Sequence, residues 1–155
     1  ATPTSTGRWM SYSVADRIEQ LTAQLPLRGE VHRDLIGLKE ATEFAGAIGA
    51  VLKSDSAGRL VAPTTFLTRL IITDRPPWYE ELRRGTMFHA GERYVMHRHL
   101  LVGRELEWDG TLETITSKQG RAGRLWFVGS HYRFREAGDL AAVADAWRTR
   151  VVITG

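Results

Sequence analysis

The run from Glu105 to Glu113, "ELEWDGTLE", alternates polar and apolar residues. Successive side chains of an extended chain point to opposite faces. Leu106, Trp108 and Leu112 therefore share one face, and Glu105, Glu107, Asp109, Thr111 and Glu113 the other. The glycine-rich turn "GRAG" (residues 120–123) follows, and "RLWFVGSHYRF" (124–134) is an apolar strand beyond it. Thr111 to Phe134 thus reads as a β-hairpin. "AVADAWRTRVVIT" (142–154) supplies a final strand, and strand character begins after Gly85.

Working outward, the first half of the chain is helical in pattern. Ser13 offers an N-cap with Asp16 three residues on, and Val14, Ile18, Leu21 and Leu25 follow at helical spacing until Pro26. Leu27 to His32 is a connector or short strand. Asp34 is placed to cap a second helix with Leu35, Leu38, Ala41, Phe44, Ala45 and Ile48 on its apolar face. A third helix is expected from Ala62-Pro63, since proline suits a first helical turn. Its continuation "TTFLTRLIIT" is apolar on nearly every side, as in a helix wrapped by protein. Asp74 to Pro77 breaks it, and "WYEELRRG" reads as a loop or short helical turn. Helices first and a meander of antiparallel strands after them argue an α+β fold, with an apolar helix packed on a curved sheet.

The chain has 155 residues, 43% hydrophobic and 25% charged, with a formal charge of +3. This is the size and composition of one globular domain, expected over residues 13–155 after a flexible lead over 1–12. Cysteine is absent, which excludes disulfides, thiolate catalysis and cysteine-ligated zinc and is compatible with the cytoplasm. No apolar run is long enough to span a bilayer, and "ATPTSTGRWM" lacks the blocks of a signal peptide. The aromatic residues fall at strand-core spacing rather than on a basic platform, which argues against nucleic acid.

The stretch "FHAGERYVMHRHLLVGRELEWDGTLETITSKQGRAGRLWFVGSHYRF" (88–134) resembles the strand region of the MaoC-like, fatty-acid-synthase-dehydratase-like hotdog dehydratases, specifically their N-terminal half. His89 and Gly91-Glu92 open a strand, Tyr94, His97 and Val102-Gly103 precede the next, and "KQGRAGRL" makes the hairpin. "LVAPTTFL" resembles the start of the family's central helix. The resemblance spans roughly residues 33 to 154 and leaves the helix over 13–26 unplaced. It implies two hotdog folds side by side, in one chain, a homodimer or a heterodimer. It also implies reversible dehydration of (3R)-hydroxyacyl thioesters carried on the phosphopantetheine of acyl carrier protein or on CoA. No metal or redox cofactor is implied.

Such a dehydration needs a base for the α-proton, an acid for the departing hydroxyl and donors for the enolate-like thioester oxygen. The family supplies the first two from an Asp-x-Asn-Pro-x-His motif before its central helix. This sequence contains no asparagine, and its counterpart, "KSDSAGRLVA" (53–62), has no histidine and one carboxylate, Asp55. Asp55 is either a catalytic remnant or a turn residue. The helix start, with Ala62, Thr64, Thr65 and Phe66, is a candidate for binding the acyl thioester through backbone N–H groups and hydroxyls, or a simple cap. His89, with Glu92 near it, is the alternative acid–base candidate. His97 and His99 share a strand face, which suggests a metal site, but lack a third ligand; His131 reads as a core or interface polar group, and His32 as a loop residue. Lys118, Arg121 and Arg124 ring the hairpin turn, as a contact for an acidic carrier protein or as a solvated tip.

The reading that joins an intact scaffold to a missing motif is a non-catalytic, tunnel-shaping subunit whose hotdog partner carries the Asp/His pair. The alternatives are a self-sufficient hydratase or thioesterase, and an acyl-binding or cyclisation module.

Overall fold

The computed structural model describes residues 12–155; the expected lead lies, apart from Tyr12, outside them. The chain runs α1 (Val14–Ala23), β1 (Leu27–Leu35), α2 (Leu38–Ala47), β2 (Lys53–Ser54), β3 (Leu60–Ala62), α3 (Phe66–Ile71) and α4 (Pro77–Arg83). It continues through β4 (Thr86–Met96), β5 (Leu100–Leu101), β6 (Glu105–Gly120), β7 (Gly123–Glu136) and β8 (Ala142–Thr154). A curved antiparallel sheet has the order β1-β6-β7-β8-β4, and β2-β3-β5 form a small second sheet. The α+β class and the apolar helix packed on a curved sheet are as expected.

The β6–β7 hairpin is the spine of the sheet. Trp108 pairs with Phe134 and Lys118 with Leu125 across it. Leu106, Trp108 and Leu112 are buried, as their alternation requires. A bulge between Leu112 and Thr114 then shifts the phase, so that Ile115 faces the same side as Leu112. Gly129 lies opposite this bulge, where a Cβ would come within 2.4 Å of Thr114 Oγ1. Asp109 keeps to the expected outer face but is buried there, accepting from Arg28 of β1.

α3 packs Phe66, Leu67, Leu70 and Ile71 against Trp108, Tyr132, Phe134, Ala144 and Ala146. A second apolar cluster joins Ile18 and Leu21 of α1 and Trp78 and Leu82 of α4 to Leu112, Trp126, Val128 and Val152. Burying Ile18 and Leu21 contributes about 2 kcal/mol each, which seats α1 on the end of the sheet. α1 begins with the expected capping box: Asp16 N–H donates to Ser13 Oγ at 3.1 Å and Ser13 N–H to Asp16 Oδ2 at 3.2 Å.

Three boundaries differ from the sequence reading. Leu27 to His32 opens a nine-residue strand, and Asp34 lies inside that strand. Asp34 caps nothing; its carboxylate accepts from Trp108 Nε1 at 2.8 Å, and α2 starts after Gly37 without a side-chain cap. Ala62 closes β3 opposite Leu100, and Pro63 to Thr65 form a tight turn held by Phe66 N–H to Pro63 O at 2.9 Å. The central helix is therefore six residues long and starts at Phe66. The "WYEELRRG" segment is mostly helix α4, with Pro77 in its first turn.

β4 closes one edge of the sheet. Among the described residues it pairs only with β8, leaving the other side of its eleven residues without a strand, and Phe88 on it is 56% exposed.

Candidate functional site

The lead-in to α3 holds the first group of expected residues. Asp55 sits in the turn between β2 and β3, with every acceptor direction engaged. Oδ1 accepts from the backbone N–H of Ala57 at 3.0 Å and of Arg59 at 2.9 Å, and Oδ2 from Arg59 Nε at 2.8 Å. The Arg59 N–H, aided by its guanidinium, holds this carboxyl below its usual range. A carboxylate bound this way staples a turn and is a weak base. Thr64 and Thr65 are exposed, and Thr65 makes no side-chain cap to the helix. Phe66 is buried, with its ring edge-on to Phe44 at 5.7 Å. Ala62 is buried in β3.

His89 and Glu92 meet through a third residue. The bulge between His89 and Gly91 in β4 turns both toward Arg148 of β8. Arg148 Nε donates to His89 Nδ1 at 3.2 Å, and Arg148 Nη1 stands 3.3 Å from Glu92 Oε1. Glu92 Oε2 accepts from Tyr94 Oη at 2.9 Å and from Thr68 Oγ1 of α3 at 3.3 Å. This ties α3 to the edge strand. Burial pushes the Tyr94 phenol up to about 12. Glu92 is thus a charge-paired clamp, while His89 is exposed and its Nε2 has no partner among the described residues.

The basic turn lies elsewhere. Lys118 is ten residues along β6 from Trp108, the residue packed under α3, which is about 30 Å of strand. Arg124 donates to Ser117 Oγ at 2.8 Å and covers the Trp126 ring, and Lys118 lies over Phe127. Arg121 occupies the two-residue turn between the strands. These groups brace the hairpin at the α1 end of the sheet and do not converge on the α3 lead-in.

The remaining histidines also differ from expectation. His97 and His99 lie in the bend after β4 rather than on a strand face. Asp145 bridges His97 and His131, each through Nε2 at 2.7 Å, and His131 stacks on Trp147 on the outer face of the sheet. Burial pushes the Asp145 carboxyl up, but the hydrogen bonds from the two histidines outweigh it and hold it below its usual range. No three-ligand metal cluster occurs among the described residues.

The pair that sequence reasoning missed is His32 and Asp74. His32 is in β1, not a loop, and its Nε2 lies 3.0 Å from Asp74 Oδ1. Its ring stacks on Trp108 at 4.3 Å. Asp74, just past α3, is only 8% exposed. Room for it is made by Gly110, where a Cβ would sit 2.6 Å from the Tyr132 ring and 3.2 Å from Asp74 Oδ2. The two residues are 42 positions apart, so no spacing rule links them; the only local signal was Asp74 at a helix-breaking stretch.

The FAS1-like dehydratase domain region matches residues 33–143 of this sequence. The chain belongs to that family. Its dehydratase-like core thus spans α2 through β7, whereas α1 and the first part of β1 lie outside the match. No curated protein sequence matches the chain. Among solved structures, it is similar to the ChsH1-ChsH2 complex from Mycobacterium tuberculosis, at 17% identity and a TM-score of 0.66, covering 92% of this chain and 93% of that one. It is also similar to the HadBC (3R-hydroxyacyl-ACP dehydratase) complex from the same organism, at 20% identity and a TM-score of 0.62, covering 81% and 96%. The MaoC-like dehydratase from Rhodospirillum rubrum is similar at 20% identity and a TM-score of 0.60, covering 84% and 92%. These likenesses establish the hotdog fold for this dehydratase-family chain.

Proposed function

We propose that this chain is the non-catalytic subunit of a (3R)-hydroxyacyl-thioester dehydratase. One observation carries the reading. The segment before α3 has no histidine, and its one carboxylate, Asp55, is bound on both oxygens by its own turn. The apolar helix and sheet that house an acyl chain are nonetheless intact. A second hotdog subunit supplies the Asp/His pair and docks along the uncovered side of β4, where Phe88 is presented. That the structures similar to this chain include the two-component HadBC and ChsH1-ChsH2 complexes supports a partner. The substrate is a 3-hydroxyacyl chain of fatty-acid or polyketide type on acyl carrier protein or CoA, and the reaction uses no metal or redox cofactor. A cytoplasmic location belongs to the same proposal; no helix among the described residues is long and apolar enough to cross a membrane.

The test is co-expression with a hotdog protein that carries an intact Asp/His motif, followed by an assay of 3-hydroxyacyl thioester dehydration. Activity is expected only in the mixture and persists with Asp55→Asn and His89→Ala in this chain. Dehydration by this chain alone, lost in His89→Ala, overturns the reading in favour of a self-sufficient hydratase. The approach of His89 and Glu92 to a shared Arg148 is the observation that favours that second reading.

A further inference from the structure

A cleft of about 600 Å³ opens between α1, β1 and the α3–α4 connection, outside the acyl-housing core under α3. His32 and Asp74 stand in it with Arg28 and Arg75; Leu27 and Trp78 are part of its apolar wall. Its volume suits a small organic ligand. α1 and the first half of β1, which complete it, lie outside the family match.

The polar groups define what fits. Asp74 takes the hydrogen on His32 Nε2, and stacking on Trp108 fixes the ring plane. The tautomer that follows leaves Nδ1 as the nitrogen without a protein partner. A ligand hydroxyl satisfies Nδ1 in either form of the ring, donating to the neutral imidazole or accepting from the charged one. Arg28 lines the edge of the cleft but gives Nε and Nη2 to Asp109 on the opposite face of the sheet. Arg75 gives Nη1 to Glu80 and lies over the Tyr79 ring, retaining Nε and Nη2. Guanidinium donors left over beside an apolar wall match a carboxylate on a hydrocarbon body.

We propose that this cleft binds a free hydroxy acid with an apolar body. The hydroxyl sits on His32 Nδ1, the carboxylate on the free donors of Arg75, and the hydrocarbon against Leu27 and Trp78. The site stands whether or not the chain is a dehydratase subunit.

The experiment titrates 3-hydroxyoctanoate and octanoate into the full 155-residue chain, without a partner, labelled with 5-fluorotryptophan. The Trp78 fluorine resonance is expected to move, while that of Trp147 on the outer sheet face stays. 3-Hydroxyoctanoate binds about tenfold tighter than octanoate, the worth of one good hydrogen bond. His32→Phe, which keeps a ring against Trp108, abolishes this preference, so that the two acids bind alike. Arg75→Gln weakens both acids by a similar factor. If His32→Phe unfolds with Asp74 unpaired, His32→Phe/Asp74→Leu removes both polar partners together and serves the same purpose. A Trp78 resonance unmoved by either acid, equal affinities, or a preference that survives loss of the imidazole overturns the proposal.

Discussion

The two ends of α3 carry opposite solutions to holding polar groups. At the N-terminal end, where the family pattern places its acid–base pair, Asp55 faces its own turn and Thr64 and Thr65 face solvent. At the C-terminal end, Asp74 is buried, orients His32, and is fitted by a glycine in the facing strand. Both flanks of the helix carry a carboxylate, Asp55 in the β2–β3 turn that leads into it and Asp74 just past its end. Both carboxylates are shielded from solvent, but only Asp74 has a distant side-chain partner and a cleft beside it. The presence of an acidic residue therefore says less about chemistry than the source of its hydrogen bonds. Local backbone donors make a staple, and a distant side chain makes a site.

The largest test of this contrast is Phe66→Ala. If the N-terminal end is held by burial rather than capping, the variant loses about 4 kcal/mol in urea unfolding; a loss under 1 kcal/mol would shift the emphasis to the turn. Next, Asp74→Ala is expected to lose about 3 kcal/mol, because it strips a buried partner from His32. Asp55→Ala should move the unfolding midpoint far less, and an equal shift would erase the distinction between the two ends.

Tyr94, which joins α3 to β4, probes how dry the region between the ends is. Its folded pKa is raised from 10.0 to about 12 by burial. The neutral phenol's contribution to stability is therefore fully present below pH 10 and is lost as pH rises through about 12. Burial also raises Tyr132, so phenolate absorbance should show two late-titrating tyrosines, one of which is missing in Tyr94→Phe. Smallest of all, Thr64→Ala and Thr65→Ala should stay within about 0.5 kcal/mol of the parent, since neither hydroxyl caps the helix.

The hairpin was legible because its signal is local: period-two burial from Leu106 to Leu112, then a two-residue turn between glycines. The bulge at Leu112 was not, since it depends on Gly129 across the ladder. Asp34 fits a cap by composition, but Trp108 Nε1, 74 residues away, claims its carboxylate. Ala62-Pro63 matches a helix start, yet pairing of Ala62 with Leu100 draws it into a strand. The absence of the family's acid–base motif was readable directly, as a missing residue type. The His32–Asp74 pair was not, because it exists only once β1 and the end of α3 are brought together over Trp108.

Gly110 has a consequence for how such a site can arise. A Cβ there collides with the Tyr132 ring and crowds Asp74. A side chain at position 110 therefore requires a smaller residue at position 132. The two positions are thus coupled, and Gly110→Ala alone is closed while Tyr132 fills the corner.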